Sequence, residues 1–451
     1  MNNIYFSGSP VFQSAVRIVD KLRAAGHAGY FVGGAVRDML LGRTPKDIDI
    51  ATSATPEQAA AIFPRHHKIG VSFGILMIVE DDIPFELATF REEREYADGR
   101  HPEVVKYTDN PELDAARRDF TINGMFYDPA TGRILDFTGG QRDLEKGIVR
   151  TIGSAEQRFS EDYLRMLRAV RFSTRLGFEL DREAADAIMK LKHNISNLSA
   201  ERVRDELNLM LTGGAPAAAV RLLHQLGLLE LVLPEVAVMD GVPQPEQFHP
   251  EGDVLTHTLL MLDHMPLPGI ELAWSILLHD AGKPATLSIG EDGIEHFYRH
   301  EEASAAIAES CLNRLKFSRR EIDTVVHAVK NHMRFAMVDK MRPPKVKRLI
   351  AEDDFPLQLE LHRIDCISSH SKLGNYLLLL DMLHLSGGET ALPEPLVNGR
   401  DLMAAGLKPG PQMGKILHQI AEMQLAGEIG TKDDAIAFAM HLLPDLSIGK
   451  K

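Results

Sequence analysis

Cysteine and tryptophan are scarce in this sequence. Its 451 residues include two cysteines, Cys311 and Cys366, and one tryptophan. Small secreted scaffolds are held together by several cysteine pairs, whereas isolated thiols are usual in a reducing compartment. The cysteine content therefore argues against a disulfide framework and favours a cytoplasmic location.

Long hydrophobic runs are missing as well. No stretch approaches the ~20 consecutive apolar residues that a membrane-spanning helix requires. The first six residues, Met1–Phe6, lack the basic region and long apolar segment of an export signal. We therefore expect a chain that neither spans a membrane nor is exported.

The third shortage is positive charge. Lys and Arg number 50 against 64 Asp and Glu, which gives a net charge of −14. Nucleic-acid binding needs clustered Lys and Arg, but a surface charge acts only within a Debye length of roughly 10 Å. Local clusters therefore decide whether RNA is a partner.

The chain has an ordinary globular composition and is too long for one core, so two to four domains are expected.

A strand-forming run leads into two glycines near the N-terminus. Tyr30–Val32 is followed by Gly33, Gly34 and then helix-compatible residues that include Arg37. This order predicts strand, tight turn and helix. Glycine lets a polyphosphate approach the backbone, and free amides at a helix start favour negative charge. Arg37 would lie about one turn inside the helix, within reach of the same phosphates.

Two aspartates follow the glycine turn. Asp47 and Asp49 flank Ile48, and this alternation predicts both carboxylates on one face of a strand. Their Cα atoms would be roughly 7 Å apart. Oxygen ligands at that separation can share one or two Mg2+ ions, as phosphoryl-transfer enzymes require. An Asp-X-Asp alone is equally typical of an exposed strand, so the interpretation depends on the turn upstream.

The run from Gly33 to Thr52 resembles the nucleotidyltransferase head of class II CCA-adding enzymes and bacterial poly(A) polymerases. The resemblance implies an α+β fold: a polymerase-beta-like head with a small mixed sheet and helices, followed by helical domains. It implies that Asp47 and Asp49 are catalytic metal ligands. Gly33, Gly34 and Arg37 would then hold the triphosphate.

Two further segments of the head are interpreted with help from the resemblance. Phe85–Phe90 is a predicted strand, and its Glu86 would be a third catalytic carboxylate, although spacing alone also fits a solvated residue. Residues 91–102 are dense in charge and contain Asp98-Gly99-Arg100, which predicts a mobile surface loop. In the family the corresponding loop is thought to act during the change from C to A addition.

Adjacent arginines mark a second signal in the head. Arg117 and Arg118 begin a run that continues through Asp119 and Asn123, on a predicted buried strand or helix edge. Two buried guanidinium groups are unfavourable unless an anion meets them. Paired surface arginines would explain the charges alone. The resemblance implies nucleotide binding by this run, with Asp119 and Asn123 near the sugar.

The segment from Glu161 to Phe172 is predicted as one helix. Glu161, Asp162 and Arg165 lie three and four residues apart, so they can approach one face. A simple ion pair explains that spacing. A carboxylate and an arginine can also pair with the amine and the ring nitrogen of C or A, whereas G and U present the opposite pattern. The resemblance implies that Asp162 and Arg165 do so.

Arginines continue along the same predicted helix. Arg168, Arg171 and Arg175 follow at spacings of three and four and form a local basic stripe. The stripe predicts contact with a nucleotide or an RNA backbone despite the negative net charge. Residues 201–207 resemble the family segment that supports this helix.

The C-terminal half is almost wholly helical in pattern and contains a set of histidines and aspartates. Imidazole and carboxylate together suit a divalent metal, whereas any single histidine among 19 is more often structural. Their order resembles an HD-superfamily phosphohydrolase. The resemblance implies metal binding by His257, His279, Asp280 and Asp365, with His300 and His332 completing a second ion or holding phosphate.

Four domains are predicted. They are a catalytic head at 1–150, a helical neck at 151–212, a helical body with the HD site at 213–385 and a helical tail at 386–451. Glycine-rich turns in the tail, such as the one around Gly399, can present amides to tRNA phosphate or simply join helices.

The resemblance implies that the chain adds CMP and AMP, from CTP and ATP, to the 3′ end of tRNA with Mg2+ at the head. Poly(A) polymerase, or an enzyme that adds only CC or only A, shares the head motifs and stays open. Two alternatives of another kind are a metal-dependent phosphohydrolase acting on RNA 3′-end or cyclic phosphates, and a silent tRNA-binding module. The sequence leaves the HD metal and the oligomeric state undetermined.

Overall fold

The computed structural model describes residues 8–68, 74–96, 102–266, 269–291, 293–385 and 392–446. The chain forms two compact units. One consists of residues 1–237 with 314–316, and the other of residues 238–313 with 317–451. The predicted four-domain division is not tested by these units and stays a prediction. Within the described ranges, no helix is both long and apolar enough to cross a bilayer.

The first unit contains all but two of the described strands, and it opens on a helix. The strands are β1 (Gly29–Val32), β2 (Asp49–Thr52), β3 (His66–Lys68), β4 (Ile75–Glu80), β5 (Ile83–Thr89), β6 (Arg91–Tyr96), β7 (Pro102–Tyr107), β8 (Phe126–Asp128), β9 (Arg133–Leu135), β10 (Ile148–Val149) and β11 (Glu179–Leu180). Its helices are α1 (Pro10–Ala24), α2 (Gly34–Leu40), α3 (Pro56–Ile62), α4 (Pro111–Ala116), α5 (Gly140–Lys146), α6 (Ala155–Glu161), α7 (Leu164–Leu176), α8 (Arg182–Leu191), α9 (Ala200–Leu211), α10 (Pro216–Gln225), α11 (Leu229–Val232) and α12 (Pro234–Ala237).

The second unit is predominantly helical. Its helices are α13 (Val254–Asp263), α14 (Ile270–Leu278), α15 (Lys283–Thr286), α16 (His300–Arg314), α17 (Arg319–Asn331), α18 (Pro343–Ile350), α19 (Phe355–Ser368), α20 (Gly374–Leu385), α21 (Gly399–Ala404), α22 (Pro411–Ala426) and α23 (Lys432–Leu446). The short strands β12 (Leu287–Ile289) and β13 (Glu295–Phe297) form a hairpin. This distribution confirms the predicted α+β head followed by helical domains.

A seven-stranded mixed sheet organises the head. Its order is β3-β4-β5-β2-β1-β8-β9, and β2 pairs with β5 in parallel while the other neighbours are antiparallel. Val32 at the end of β1 lies opposite Asp49 at the start of β2. This register places the glycine turn after β1 beside the aspartate.

Aromatic side chains pack against both faces of that sheet. Phe31, Phe90 and Phe126 are fully buried, and the rings of Phe90 and Phe126 meet edge to face at 6.1 Å between centroids. Such edge-to-face pairs add to the stabilisation from burial. The sheet therefore offers a rigid base for the polar residues at its edge.

Two secondary-structure predictions are wrong. Residues 91–96, expected in a mobile loop, form β6, which pairs antiparallel with β7; residues 97–101 lie outside the described residues. The predicted continuous helix from Glu161 is broken, because α6 ends there and Asp162 has extended backbone dihedrals of φ −152° and ψ 106°. The side chain of Asp162 instead accepts from the Leu164 amide at the start of α7, 3.1 Å away.

Candidate functional site

The glycine turn of the head lies directly against Asp49. Gly33 has φ +67°, which only glycine adopts easily, and α2 begins at the next residue. A Cβ atom on Gly33 would lie 4.0 Å from Asp49 Oδ2 and 3.6 Å from Arg118 Nη1. The turn thus brings bare backbone, a carboxylate and a guanidinium together.

The carboxylates expected to bind a cation share one region. Asp47, just before β2, and Asp49 are both exposed while Ile48 between them is buried, as the alternation predicts. Although the residue is exposed, partial desolvation of its carboxyl by surrounding atoms, followed by the charges of Glu86 and Asp47, raises the pKa of Asp49 to about 6, and Arg118 opposes the shift. Glu86 on β5 therefore acts on Asp49 electrostatically.

This crowding of like charges fits a divalent cation, which would relieve it. The three carboxylates do not converge on one position, because among the described residues the oxygens of Asp47, Asp49 and Glu86 do not all lie within 4.8 Å of one another. All three side chains are exposed, so binding of an ion could reorient them.

A chain of hydrogen bonds connects the glycine turn with the neck. Arg37 is buried and donates to Asp38 at 2.8 and 2.9 Å and to Asn123 at 2.8 Å. Asn123 in turn donates to Asp119 at 3.2 Å, and Asp119 accepts from Arg168 at 2.6 and 2.8 Å. All three terminal nitrogens of Arg37 are thus engaged within the protein.

Asp119 is ionised in this network. Burial would raise its pKa, but the charge and hydrogen bonds of Arg168, with the Asn123 amide, lower the pKa to about 2. The carboxylate therefore holds Arg168 of α7 against the head.

The sequence interpretation missed the anion that meets the two adjacent arginines. Asp114 in α4 is almost fully buried and binds both of them, with Arg117 at 2.8 Å and Arg118 at 2.9 Å. Burial opposes ionisation of Asp114, yet Arg118 and Arg117 lower its pKa. Its position three and four residues before the arginines was the available signal.

The break between α6 and α7 separates the partners proposed for base selection. Arg165 donates to Glu161 at 2.7 Å and to the Arg117 carbonyl at 3.2 Å. Asp162 is paired with Arg202 of α9 at 2.8 Å. Both residues face the same cleft, but each pairs with a different residue. The sequence did not identify Arg202 as the partner of Asp162.

Only part of the arginine stripe on α7 is exposed to solvent. Arg171 is buried and donates to Glu206 of α9 at 2.6 Å, whereas the spacing predicted an exposed basic stripe. Arg168 is paired with Asp119, whereas Arg175 is exposed. The guanidinium of Arg171 lies 4.3 Å above the ring centroid of Phe172. The stripe therefore serves in part to bind α7 to its neighbours.

These groups line one polar cleft of about 570 Å3. Glu86 is the single predicted head residue that does not line it. The lining residues are Gly33, Gly34, Arg37, Asp38, Asp47, Asp49, Arg117, Arg118, Asp119, Asn123, Asp162, Leu164, Arg165, Arg168, Arg171, Phe172, Arg175 and Arg202.

The predicted metal ligands of the second unit converge as well. His257 on α13 lies 3.2 Å from Asp365 on α19, and His279 lies 3.1 Å from Asp280. Asp280 is also 3.4 Å from His300. Two groups, each with its ligand atoms within 4.8 Å, are His257, His279 and Asp280, and Asp280, His300 and His332.

The carboxylates of this cluster attract positive charge. Burial opposes protonation of His257, but contacts with Asp365 and Glu251 raise its pKa to about 9, while burial and the His279 charge lower the pKa of His332 to about 3. The buried His257 Nε2 lies 3.2 Å from Asp365 Oδ1 without a well-aligned hydrogen bond. A divalent ion bound between that nitrogen and Asp365 would replace the proton of His257.

Residues beyond the predicted set orient the cluster. Glu251 accepts from His257 Nδ1 at 2.6 Å and contacts His249 Nδ1 at 2.9 Å, which turns His257 Nε2 toward Asp365. The buried Lys283 pairs with Asp280 at 2.7 Å. A cavity of about 510 Å3 opens beside these groups.

Four family models match the chain. The Poly A polymerase head domain matches residues 29–150, and a model described as an RNA- and SrmB-binding site of polymerase A matches residues 177–239. The HD domain matches residues 253–367, and tRNA nucleotidyltransferase domain 2 matches residues 391–439.

Relatives resemble the chain over most of its length. A CCA-adding enzyme of Lactiplantibacillus plantarum is 31% identical over 96% of this chain and 97% of its own. The CCA-adding enzyme of Bacillus subtilis is 44% identical over 49% of this chain and 55% of its own.

Solved structures show the same similarity. The Bacillus stearothermophilus CCA-adding enzyme in complex with CTP has a TM-score of 0.72 and 28% identity, with 97% of this chain and 99% of that chain covered. The Thermotoga maritima CCA-adding enzyme complexed with tRNA-CCA shares the fold, with a TM-score of 0.61, 20% identity and 96% of both chains covered.

Proposed function

The chain belongs to the family of CCA-adding enzymes, and we propose that it adds CMP and AMP, from CTP and ATP, to the 3′ end of tRNA. The carrying observation is the position of Asp49, held by the β1–β2 register beside the Gly33 turn and Arg118. Nucleotidyl transfer needs carboxylates, a cation and a triphosphate at one place. Asp49 stands where those requirements meet.

Asp47 and Asp49 would hold Mg2+, with Glu86 as the third carboxylate. The ion would supply activation of the terminal 3′-hydroxyl and neutralisation of the triphosphate during in-line displacement. Arg118 directs one nitrogen toward the glycine turn and is fixed by Asp114, so it is pre-organised to bind the triphosphate there.

Other cleft residues would bind the remainder of the nucleotide. Arg37, Arg117 and Arg171 would act with the phosphates or by positioning the residues that touch them. Asp119 and Asn123 lie at the sugar side in this proposal, and Arg168 holds them in place. The tRNA backbone would meet the exposed Arg175 end of α7.

Asp162 and Arg165 would select the base. Each has a protein partner, Arg202 and Glu161 respectively, which keeps it oriented in the cleft. A C or A base would pair with the carboxylate through its amine and with the guanidinium through its ring nitrogen. G and U would instead place a carbonyl oxygen against the carboxylate and a ring N–H against the guanidinium.

The experiment that tests this function uses purified protein and tRNA lacking its CCA end. Incubation with CTP and ATP, separately and together, should give CC with CTP alone and CCA with both. Long A tails without use of CTP would identify a poly(A) polymerase. Binding without any product would reject the enzyme altogether.

A second activity is supported by the buried ligand set of the second unit. We infer that His257, His279, Asp280 and Asp365 bind a divalent metal, with His300 and His332 at a second ion or at phosphate, and hydrolyse RNA-end or cyclic phosphates. The convergence of these buried ligand atoms, within 4.8 Å of one another in each group, carries this inference. Phosphate release from a 2′,3′-cyclic nucleotide should be lost in His279→Ala and kept in Asp49→Ala; no release from the unmodified protein with added metal would reject it.

The proposal also includes a cytoplasmic location and the four predicted domains. The tail at 386–451 would contact tRNA. Mg2+ is the ion proposed for the head, because its ligands there are all oxygen.

A further inference from the structure

A further group of potential metal ligands lies outside both sites described above. His327 on α17 and Asp354, the residue before α19, are 2.7 Å apart. With Glu352 they place their ligand atoms within 4.8 Å of one another. His327 and Asp354 border a separate cleft of about 540 Å3, whose other charged residues are Glu309, Asp323, Asp353, Arg319 and Lys330.

Gln358 provides a second and independent observation. Its side chain is 2% exposed and points its amide into the group, where Nε2 lies 3.0 Å from Glu352 Oε2, 2.9 Å from Asp354 Oδ1 and 3.4 Å from His327 Nδ1. The amide oxygen Oε1 is buried and has no hydrogen-bond partner among the described residues. Burying an amide oxygen without a partner is unfavourable.

The two ends of this amide indicate what the group lacks. One NH2 group sits between two carboxylate oxygens and an imidazole nitrogen, so an electropositive group lies at the centre of these three atoms. The carbonyl end is left without a donor. A half turn of the amide would bring Oε1 to the same centre, and that becomes favourable once a cation lies there, because the oxygen then has a partner.

The neighbouring charges permit such an ion. Arg334 binds Glu352 mainly through Oε1, at 2.8 Å, which leaves Oε2 directed to the centre. Asp354 presents Oδ2 to His327 and Oδ1 to Gln358, so its two oxygens already face inward. Ligation would replace the contacts of both carboxylates with the Gln358 NH2 group by contacts with the ion, while Glu352 would keep Arg334.

We propose that His327, Glu352, Asp354 and Gln358 form a divalent transition-metal site that joins α17 to the start of α19. One imidazole nitrogen with carboxylate and amide oxygens suits Zn2+ or a related ion. Tetrahedral Zn2+ separates its ligand atoms by ~3.4 Å, so contraction from within 4.8 Å needs only side-chain adjustment.

This site is distinct from the HD cluster but shares its helix. Gln358 and Asp365 are seven residues apart on α19, which places them about two turns, or ~10 Å, apart along one face. An ion at Gln358 would therefore fix the same helix that carries Asp365. The metal would act as a structural clamp and need not touch any substrate.

The test counts metal ions on the full chain. The background variant carries Asp49→Ala, His257→Ala, His279→Ala and Asp280→Ala, which disrupts each of the other candidate sites. Titration with Co2+, a spectroscopic substitute for Zn2+, should give one bound equivalent with visible absorption from a nitrogen-containing site. Adding His327→Ala should weaken that binding by roughly 10-fold or more.

Two further variants make the result specific. Asp353→Asn, in the same cleft but outside the four ligands, should leave Co2+ binding unchanged. Gln358→Glu should tighten it, because a carboxylate replaces the amide oxygen; in a purely hydrogen-bonded cluster it would add repulsion and give no binding. Absence of a Co2+ equivalent in the background variant, with native circular dichroism, overturns the proposal. Equal binding with and without His327 does so as well.

Discussion

At the scale of single residues, ionisable groups in the head are paired in ways that spacing does not reveal. Asp114 holds two arginines, and Glu206 holds Arg171 in the interior. The sequence identified the arginines because the motif is local. Their partners lie on other elements or were hidden among ordinary carboxylates, so their identity required the fold.

Asp49 makes a pH-dependent prediction for the metal-free protein. Its folded pKa of about 6 is above the 3.8 that is usual for an aspartate, so its contribution to stability is present below pH ~4 and is lost as pH rises through ~6. Asp49→Asn should therefore stabilise the protein at pH 7.5, by about 1 kcal/mol or less because solvent screens the exposed carboxylate. Urea unfolding of the unmodified protein and of Asp49→Asn, both in EDTA, measures the difference in their free energies of unfolding.

The pH series provides the control for that prediction. At pH 4 the two proteins should have nearly the same free energy of unfolding. Added Mg2+ should stabilise the unmodified protein by binding at the head carboxylates, and Asp49→Asn should lack this stabilisation. A destabilising effect of Asp49→Asn at pH 7.5 would contradict the crowding of carboxylates around Asp49.

The buried pair of Arg171 and Glu206 predicts a large change in stability. Glu206→Leu leaves the Arg171 charge buried without its partner and should destabilise the protein by about 3–5 kcal/mol. Arg171→Met combined with Glu206→Leu should recover most of the loss. The exposed Arg175→Ala should change stability by about 0.5 kcal/mol or less. Denaturant unfolding distinguishes these outcomes, and a full-sized loss in the double variant would contradict the pairing.

At the scale of elements, the end of α6 matters most. The sequence reads as one helix because Glu161, Asp162 and Arg165 have helical spacing, but a helix would have placed Asp162 on α7. The break instead lets Asp162 cap α7 and contact Arg202 on α9. Tertiary contacts decided a boundary that local spacing could not.

The break predicts how base selection can be altered. Arg202→Ala should free Asp162 and reduce discrimination of CTP over UTP, since the carboxylate loses its orientation. Arg204→Ala, two residues away on α9, serves as the control and should keep selectivity. Single-nucleotide incorporation with each triphosphate measures the ratio, and unchanged selectivity in Arg202→Ala would contradict the role given to this contact.

Gly282 makes an element-scale prediction for the second unit. A Cβ atom there would lie 2.5 Å from both the His300 carbonyl oxygen and the Ser304 amide nitrogen, so Gly282→Ala must displace the start of α16. Metal content at the HD cluster should fall although no ligand is changed. Gly414→Ala, at a helical glycine with open space around it, should retain the metal content of the unmodified protein. Elemental analysis of purified variants checks both, and full metal content in Gly282→Ala would contradict the close packing.

At the scale of the whole molecule, motif order allowed the fold class and the family to be predicted. Strand, glycine turn and aspartates predicted the head, and the order of histidines and aspartates predicted the helical unit with its cluster. What the sequence did not provide was the detail of pairing: Glu251 behind His257, Asp114 behind the arginines and Gln358 between α17 and α19. Glu251 and His257 are 6 residues apart and Gln358 and His327 are 31 apart, and neither separation carries a periodic signal. Asp114 alone had helical spacing to its partners, three and four residues before the arginines.

The central claim is that Asp49 beside the Gly33 turn carries nucleotide transfer, and one measurement tests it most directly. Incorporation of labelled CMP and AMP into tRNA lacking its CCA end is compared for the unmodified chain, Asp49→Asn and the exposed control Asp109→Asn, each with its circular dichroism spectrum. We expect full CCA addition by the unmodified chain and Asp109→Asn, and loss of incorporation in a folded Asp49→Asn protein. Sustained incorporation by Asp49→Asn would contradict the account.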